Sequence, residues 1–223
     1  MNSTSVISMQ NNRGKIKGKI YEVADGYFEV EGEKFFEGKI LTQRLSETND
    51  ILPFTISEKL IKAFNIKLEC GSEVNFGGEL RSYNKVIDGK SRLILSFFVK
   101  EILPIDDFVV NTNELSLTGF ICKTPVFRTT PFNRQICDIL LAVNRPNFNK
   151  SDYIPCILWG RNAKFIQGQK VGTKLNLLGR IQSRNYRKEI NDGVFEERTA
   201  YEVSCQRISV VEQAHTQESQ NLA

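Results

Sequence analysis

The chain has 223 residues, 40% hydrophobic and 25% charged, with a formal net charge of +4. That composition suits a globular protein with room for two small cores, and it contains no run near the ~18 apolar residues of a membrane span. The polar start "MNSTSVISMQNNRGKIKG" lacks the apolar centre of a secretory signal, so a cytoplasmic location is expected.

Charge is unevenly spread. Residues 1–110 hold 15 basic and 16 acidic residues, net −1, whereas residues 111–223 hold 15 and 10, net +5. An asymmetry of this kind points to a polyanion partner for the second half. The five cysteines (Cys70, Cys122, Cys137, Cys156, Cys205) have no CxxC spacing, so they read as reduced thiols rather than a disulfide framework or zinc site. The only histidine, His215, lies near the end of the chain, which argues against His-based acid–base or triad chemistry. No Walker A loop, GxGxxG or paired-carboxylate motif is present, so no enzyme activity, metal or cofactor is expected.

In chain order, residues 1–14 read as a flexible N-terminus and "KIKGKI", with Gly18, as a first strand. "EGKILTQR" follows as a second, and "DILPFTISEK" as a third opened by the Asp50-x-x-Pro53 pair. Leu60, Ile61, Phe64 and Leu68 then recur at helical spacing, with Ser57 able to cap the helix and Gly71 able to end it. "CGSEVNFGGELRSYN" and "SRLILSFFVKEI" complete a hairpin across Asp88-Gly89. Inside it, the Gly77-Gly78 pair suits a bend or a close backbone approach.

After a connection over residues 104–112, the same order returns at an offset of about 101 residues. Gly119 matches Gly18, Arg145 matches Arg44, Asp152 and Pro155 match Asp50 and Pro53, and Gly172 and Gly179 match Gly71 and Gly78. The helical stretch "RNAKFIQGQKVG" looks shorter here and broken by Gly168, and Asp192-Gly193 closes the second hairpin. A period this long means duplicated domains rather than a solenoid. Three strands, a short helix and a two-strand hairpin per copy predict an all-β protein of two tandem OB-fold five-stranded barrels. The first covers residues 15–103 and the second residues 113–211, with a disordered tail over 212–223.

Only the second copy carries exposed-face chemistry. Alternation along "DYIPCILWGR" puts Tyr153, Ile157, Trp159 and Arg161 on one face and Ile154, Cys156 and Leu158 on the other. The next strand offers Arg180, Arg184, Tyr186 and Lys188. Rings that stack on unpaired bases and cations that neutralise phosphate are the two requirements of single-strand binding. A Trp in an apolar strand is commonly a core residue, so the exposure of Trp159 decides between the two readings.

"NELSLTGFICKTPVFR" (113–128), "YIPCILWGRNA" (153–163) and "VGTKLNLLGRIQSRNY" (171–186) together resemble the bacterial single-stranded DNA-binding protein family over residues 113–210. The resemblance implies base-stacking roles for Tyr153, Trp159 and Tyr186, with Phe148 near a fourth such position. It implies basic roles for Arg161, Arg184 and Arg128; Arg187 and Lys188 join them by proximity. At the three aromatic positions the first copy has Ile51, Ser57 and Lys85. The sequence ends "QESQNLA" in place of the family's acidic C-terminal tip, so replication or repair proteins stay among the expected partners but recruitment through such a tip is not expected. The family assembles four OB-folds, so two per chain imply a homodimer or an intramolecular pseudo-dimer. The expected function is sequence-independent binding of single-stranded DNA in replication, repair, recombination or transfer. The alternatives are an OB-fold scaffold of primosome or conjugation type, marked by Phe76, Phe97 or Phe98 at the surface, and single-stranded RNA binding.

Overall fold

A computed structural model of the chain describes residues 11–44, 46, 48–87, 89–105, 113–146, 149–191 and 193–211. The tail, most of the connection, Asp88, Asp192 and His215 lie outside the described residues.

The first half forms β1 (Asn12–Val23), β2 (Phe28–Val30), β3 (Glu33–Gln43), β4 (Asn49–Ser57), α1 (Glu58–Ala63), β5 (Glu73–Ile87) and β6 (Lys90–Ile102). β1 begins at Asn12, so residues 12–14, expected in a flexible segment, are paired strand. Strands β1-β3-β4-β6-β5 close on themselves, with β4 and β6 parallel and the other neighbours antiparallel. The second half repeats this closure with β7 (Asn113–Ile121), β9 (Gln135–Asn144), β10 (Ser151–Trp159), β11 (Lys174–Asn191) and β12 (Val194–Val210). The chain is therefore two tandem five-stranded OB barrels. The short strands β2 and β8 (Val126–Thr129) extend the second strand of each barrel into a hairpin.

Inward-facing residues alternate along each strand and fill the barrels. Ile16, Ile40, Leu52, Phe54, Phe76 and Phe97 are buried in the first; Leu117, Leu141, Ile154, Leu158, Leu177 and Val203 are buried in the second. Each such side chain stabilises the fold by roughly 1.5–3 kcal/mol through its removal from water. Cys137, Cys156 and Cys205 pack among them, while Cys70 is exposed.

The repeated glycines mark where the strands cross. A Cβ on Gly18 would stand 2.2 Å from the Leu41 carbonyl oxygen, and one on Gly119 would stand 2.5 Å from that of Ala142. On Gly78 and Gly179 it would meet the carbonyls of Phe98 and Ser204 at 2.1 and 2.5 Å. The last two lie at register shifts in β5–β6 and β11–β12, where an extra residue sharpens the bend that closes a small barrel.

The helices reverse the expected lengths. α1 spans six residues, from the Ser57 cap, whose hydroxyl accepts the Leu60 N–H at 3.3 Å, to Phe64. Asn65 then turns left-handed (φ 48°), and Ile66 N–H and Asn65 N–H bond back to the carbonyls of Ile61 (2.9 Å) and Lys62 (3.4 Å). This is a Schellman stop built on Asn rather than Gly, six residues ahead of Gly71. α2 (Gly160–Gln167) is longer, at eight residues, and buries Ala163 and Ile166.

The barrels join through their first strands. β1 and β7 pair antiparallel from Asn12↔Leu117 to Ile16↔Asn113, making one twelve-stranded sheet with a pseudo-two-fold axis at its centre. The Asp-x-x-Pro motifs lock this junction. Asp50, fully buried, accepts a bidentate pair from Arg44 (2.8 and 2.6 Å) within its own barrel. From the other barrel it accepts Arg180 (2.9 Å) and the Ser183 N–H (2.7 Å). Asp152, equally buried, accepts Arg145 (2.9 and 2.7 Å) and, across the junction, Arg81 (3.1 Å) and the Ser82 N–H (2.6 Å). Each carboxylate is held by charge-assisted bonds on both oxygens, the condition under which a buried charge is tolerated.

Candidate nucleic-acid interface

The outer surface of the second barrel is built from side chains that alternate away from its core. Across it, Arg128 of β8 pairs in register with Ile136 of β9, which pairs with Trp159 at the end of β10. Tyr153 lies further along β10, opposite Ala142. Arg184, Tyr186 and Lys188 share one face of β11, opposite Ala200, Arg198 and Glu196 of β12. Trp159 is 38% exposed, Tyr153 46% and Tyr186 37%. Large rings left this open on a strand face forgo burial that a core position would supply, so Trp159 is not a core residue.

Cations flank the rings. The Arg184 guanidinium lies 5.7 Å from the Tyr186 ring centre, and its side chain is half exposed, with Glu202 only loosely engaged at 3.8 Å. Arg128 is exposed but bonded to Asp138 at 2.7 Å, and that carboxylate raises its pKa. Lys188 is exposed near the hairpin end.

Four positions differ from the sequence reading. Arg161 is exposed but stands in the first turn of α2, because the strand ends at Trp159 and Gly160 takes a left-handed φ of 55°. Ile157, alternating with the exposed rings, is 4% exposed where β10 runs parallel to β12 beside Ser204. Arg187 points to the opposite face of the hairpin from Tyr186 and pairs with Glu197 (3.4 Å). Arg180 shares the Tyr186 parity, but it is drawn into the junction by Asp50 and Gln182 (3.1 Å). Phe148 lies outside the described residues.

Exposed rings of the second barrel that the sequence reading did not single out include Phe195 and Phe165, and above all Phe132. Phe132, 87% exposed, tops the turn between β8 and β9, where Asn133 N–H bonds to the Thr130 carbonyl (2.9 Å). An aromatic beside Arg134 in a short turn, "TTPFNR", is the signal that could have found it.

At the places matching Tyr153, Trp159 and Tyr186, the first barrel has half-buried Ile51, buried Ser57 and exposed Lys85. Ser57 has a different task there, capping α1, whereas Trp159 starts α2 with no side-chain cap bond. Of the residues that would mark a protein-docking surface, Phe76 and Phe97 are core and only Phe98 reaches the outside.

Two linked OB barrels, one bearing an open aromatic and basic face, define an oligonucleotide-binding class of protein. Residues 112–211 match the model of the single-strand binding protein family. Single-stranded DNA-binding protein 3 of Streptococcus agalactiae is 30% identical over 115 residues, 49% of this chain and 80% of that protein. Single-stranded DNA-binding protein A of Bacillus subtilis is 35% identical over 89 residues, covering 37% of this chain and 52% of that one. This chain belongs to the single-strand binding protein family. The crystal structure of the wild-type single-stranded DNA binding protein from Thermus aquaticus is similar to both barrels together. Its TM-score is 0.69 at 17% identity, and the match covers 92% of this chain and 95% of that one. Among the described residues, no helix is long and apolar enough to cross a membrane.

Proposed function

We propose that the protein binds single-stranded DNA without sequence preference, mainly through its second barrel, and shields it during replication, repair, recombination or transfer. The observation that carries this reading is the open set Tyr153, Trp159 and Tyr186 on the outer face of one barrel, with Arg128, Arg161, Arg184 and Lys188 around it. Every base has a π-face, so stacking supplies affinity while tolerating any sequence. The cations neutralise phosphates and make that affinity fall with salt. Phe132 extends the stacking set, while Arg180 belongs to the fold and not to the DNA.

The experiment is a fluorescence titration. Trp159 is the sole Trp, so its emission reports on one place. Poly-dT at low salt quenches it, rising salt releases the DNA, and duplex of equal length competes weakly. Absence of quenching at low salt sinks the stacking role, and equal competition by duplex sinks single-strand selectivity.

A further inference from the structure

We infer that the first barrel carries its own single-strand stacking row, moved to different strands from that of the second. The register makes the comparison position by position. Where the second barrel has Arg128 beside Ile136 beside Trp159, the first has Phe28 beside Phe35 beside Ser57. Ser204, parallel to Ile157 in the second, becomes Phe98, parallel to Thr55, in the first. The ring missing from the third strand of the first barrel is thus replaced by rings on its neighbours. Phe28 and Phe35 stack with centres 5.5 Å apart and planes 19° apart, and Phe35 meets Phe98 at 5.6 Å. The Lys100 ammonium stands 5.7 Å over Phe98, and Phe28 is 42% exposed. A graded row of rings with a cation at its end offers successive bases a platform and the backbone a counter-charge.

This row continues the second barrel's face, on which the inference rests. The β11–β12 hairpin, which bears Arg184 and Tyr186, crosses onto the first barrel. There the Ser183 N–H reaches Asp50, and the Ile51 N–H reaches the Ser183 hydroxyl at 3.3 Å. Tyr201 of the same hairpin lies within electrostatic reach of Lys39, which shares the outer side of β3 with Phe35. The hairpin seats on the first barrel through the face opposite Tyr186, which sets its edge beside the side of β3 that bears Phe35. DNA crossing that edge passes from Tyr186 to the Phe35 row, and this favours a nucleic acid over a protein as the occupant.

A reporter on the row tests this separately from the second barrel. In the full chain carrying Trp159→Phe and Phe28→Trp, the only Trp sits on the first barrel while a ring remains at position 159. Oligo-dT of about 40 nucleotides quenches it and high salt reverses the quenching; oligomers of about 8 nucleotides, near the footprint of one OB fold, quench it less. If Trp159 of the parent chain is quenched and the new reporter is not, at any length, the second row does not exist. If Trp159 of the parent chain is not quenched either, the assignment of the second barrel falls and this inference falls with it. As a second measure, Phe28→Ala with Phe35→Ala reduces the nucleotides occluded per chain by about half in a variant whose melting curve shows it still folded at the assay temperature. An unchanged footprint in the folded variant overturns the inference.

Discussion

Ser57 and Trp159 stand at the same point of two barrels, and each is fitted to the segment that follows. The hydroxyl of buried Ser57 accepts the Leu60 N–H, whereas Trp159 caps nothing and turns outward. Because Trp159 lies outside the core of the second barrel, Trp159→Ala should leave the chain folded, with a single cooperative melting transition. The same change should weaken oligo-dT binding by about 1–3 kcal/mol, roughly 5- to 150-fold, in a competition assay. Arg180 and Lys188 separate in the opposite way. Lys188→Ala should lower the salt slope of DNA binding by about 0.7 while stability holds. Arg180→Ala strips a cross-barrel partner from buried Asp50, so stability should fall by about 3 kcal/mol in a denaturant titration with little change in slope. Strand alternation made Trp159, Tyr153 and Tyr186 legible, because parity alone sets which face a residue takes. It could not distinguish Arg180 from Arg184, since the carboxylate that claims Arg180 comes from 130 positions away in the chain.

At the scale of elements, the barrels were readable because the same signals recur in the same order, above all the paired glycines. Their reason appears only in three dimensions: a methyl group at Gly78 or Gly179 would overlap a carbonyl of the next strand. Gly179→Ala should therefore cost about 2–3 kcal/mol in a denaturant titration, although both residues are small and the strand is otherwise regular. Helix length was less legible. Hydrophobic spacing runs through Leu68, but the left-handed turn at Asn65 ends α1 after Ala63, and a Gly was the expected stop. In α2 the interior is richer, with Ala163 and Ile166 buried, which supports the longer helix despite Gly168 beyond it.

At the scale of the molecule, the Asp-x-x-Pro motif proves to be a joint between barrels as well as the start of a strand. The two carboxylates hold the fourth strand of the opposite barrel, and the Ser82 hydroxyl accepts the Tyr153 N–H at 2.7 Å, so the first barrel helps to fix a ring of the second. Asp152→Asn should reduce stability by about 3–5 kcal/mol by leaving two guanidiniums underpaired, as thermal or chemical unfolding would register. Since β1 and β7 satisfy each other's edges, residues 113–211 expressed alone would expose a bare β7. Sedimentation should find that fragment dimeric, re-forming the joint from two identical halves. Joining unlike halves in one chain has a further consequence. Two identical barrels about a true axis present a DNA strand with the same surface read in either direction. Here one end offers Trp159 and Arg128, and the other offers Phe28 and Phe35. The protein has a front and a back, and a polymer with distinct 5′ and 3′ ends meets it in two inequivalent orientations.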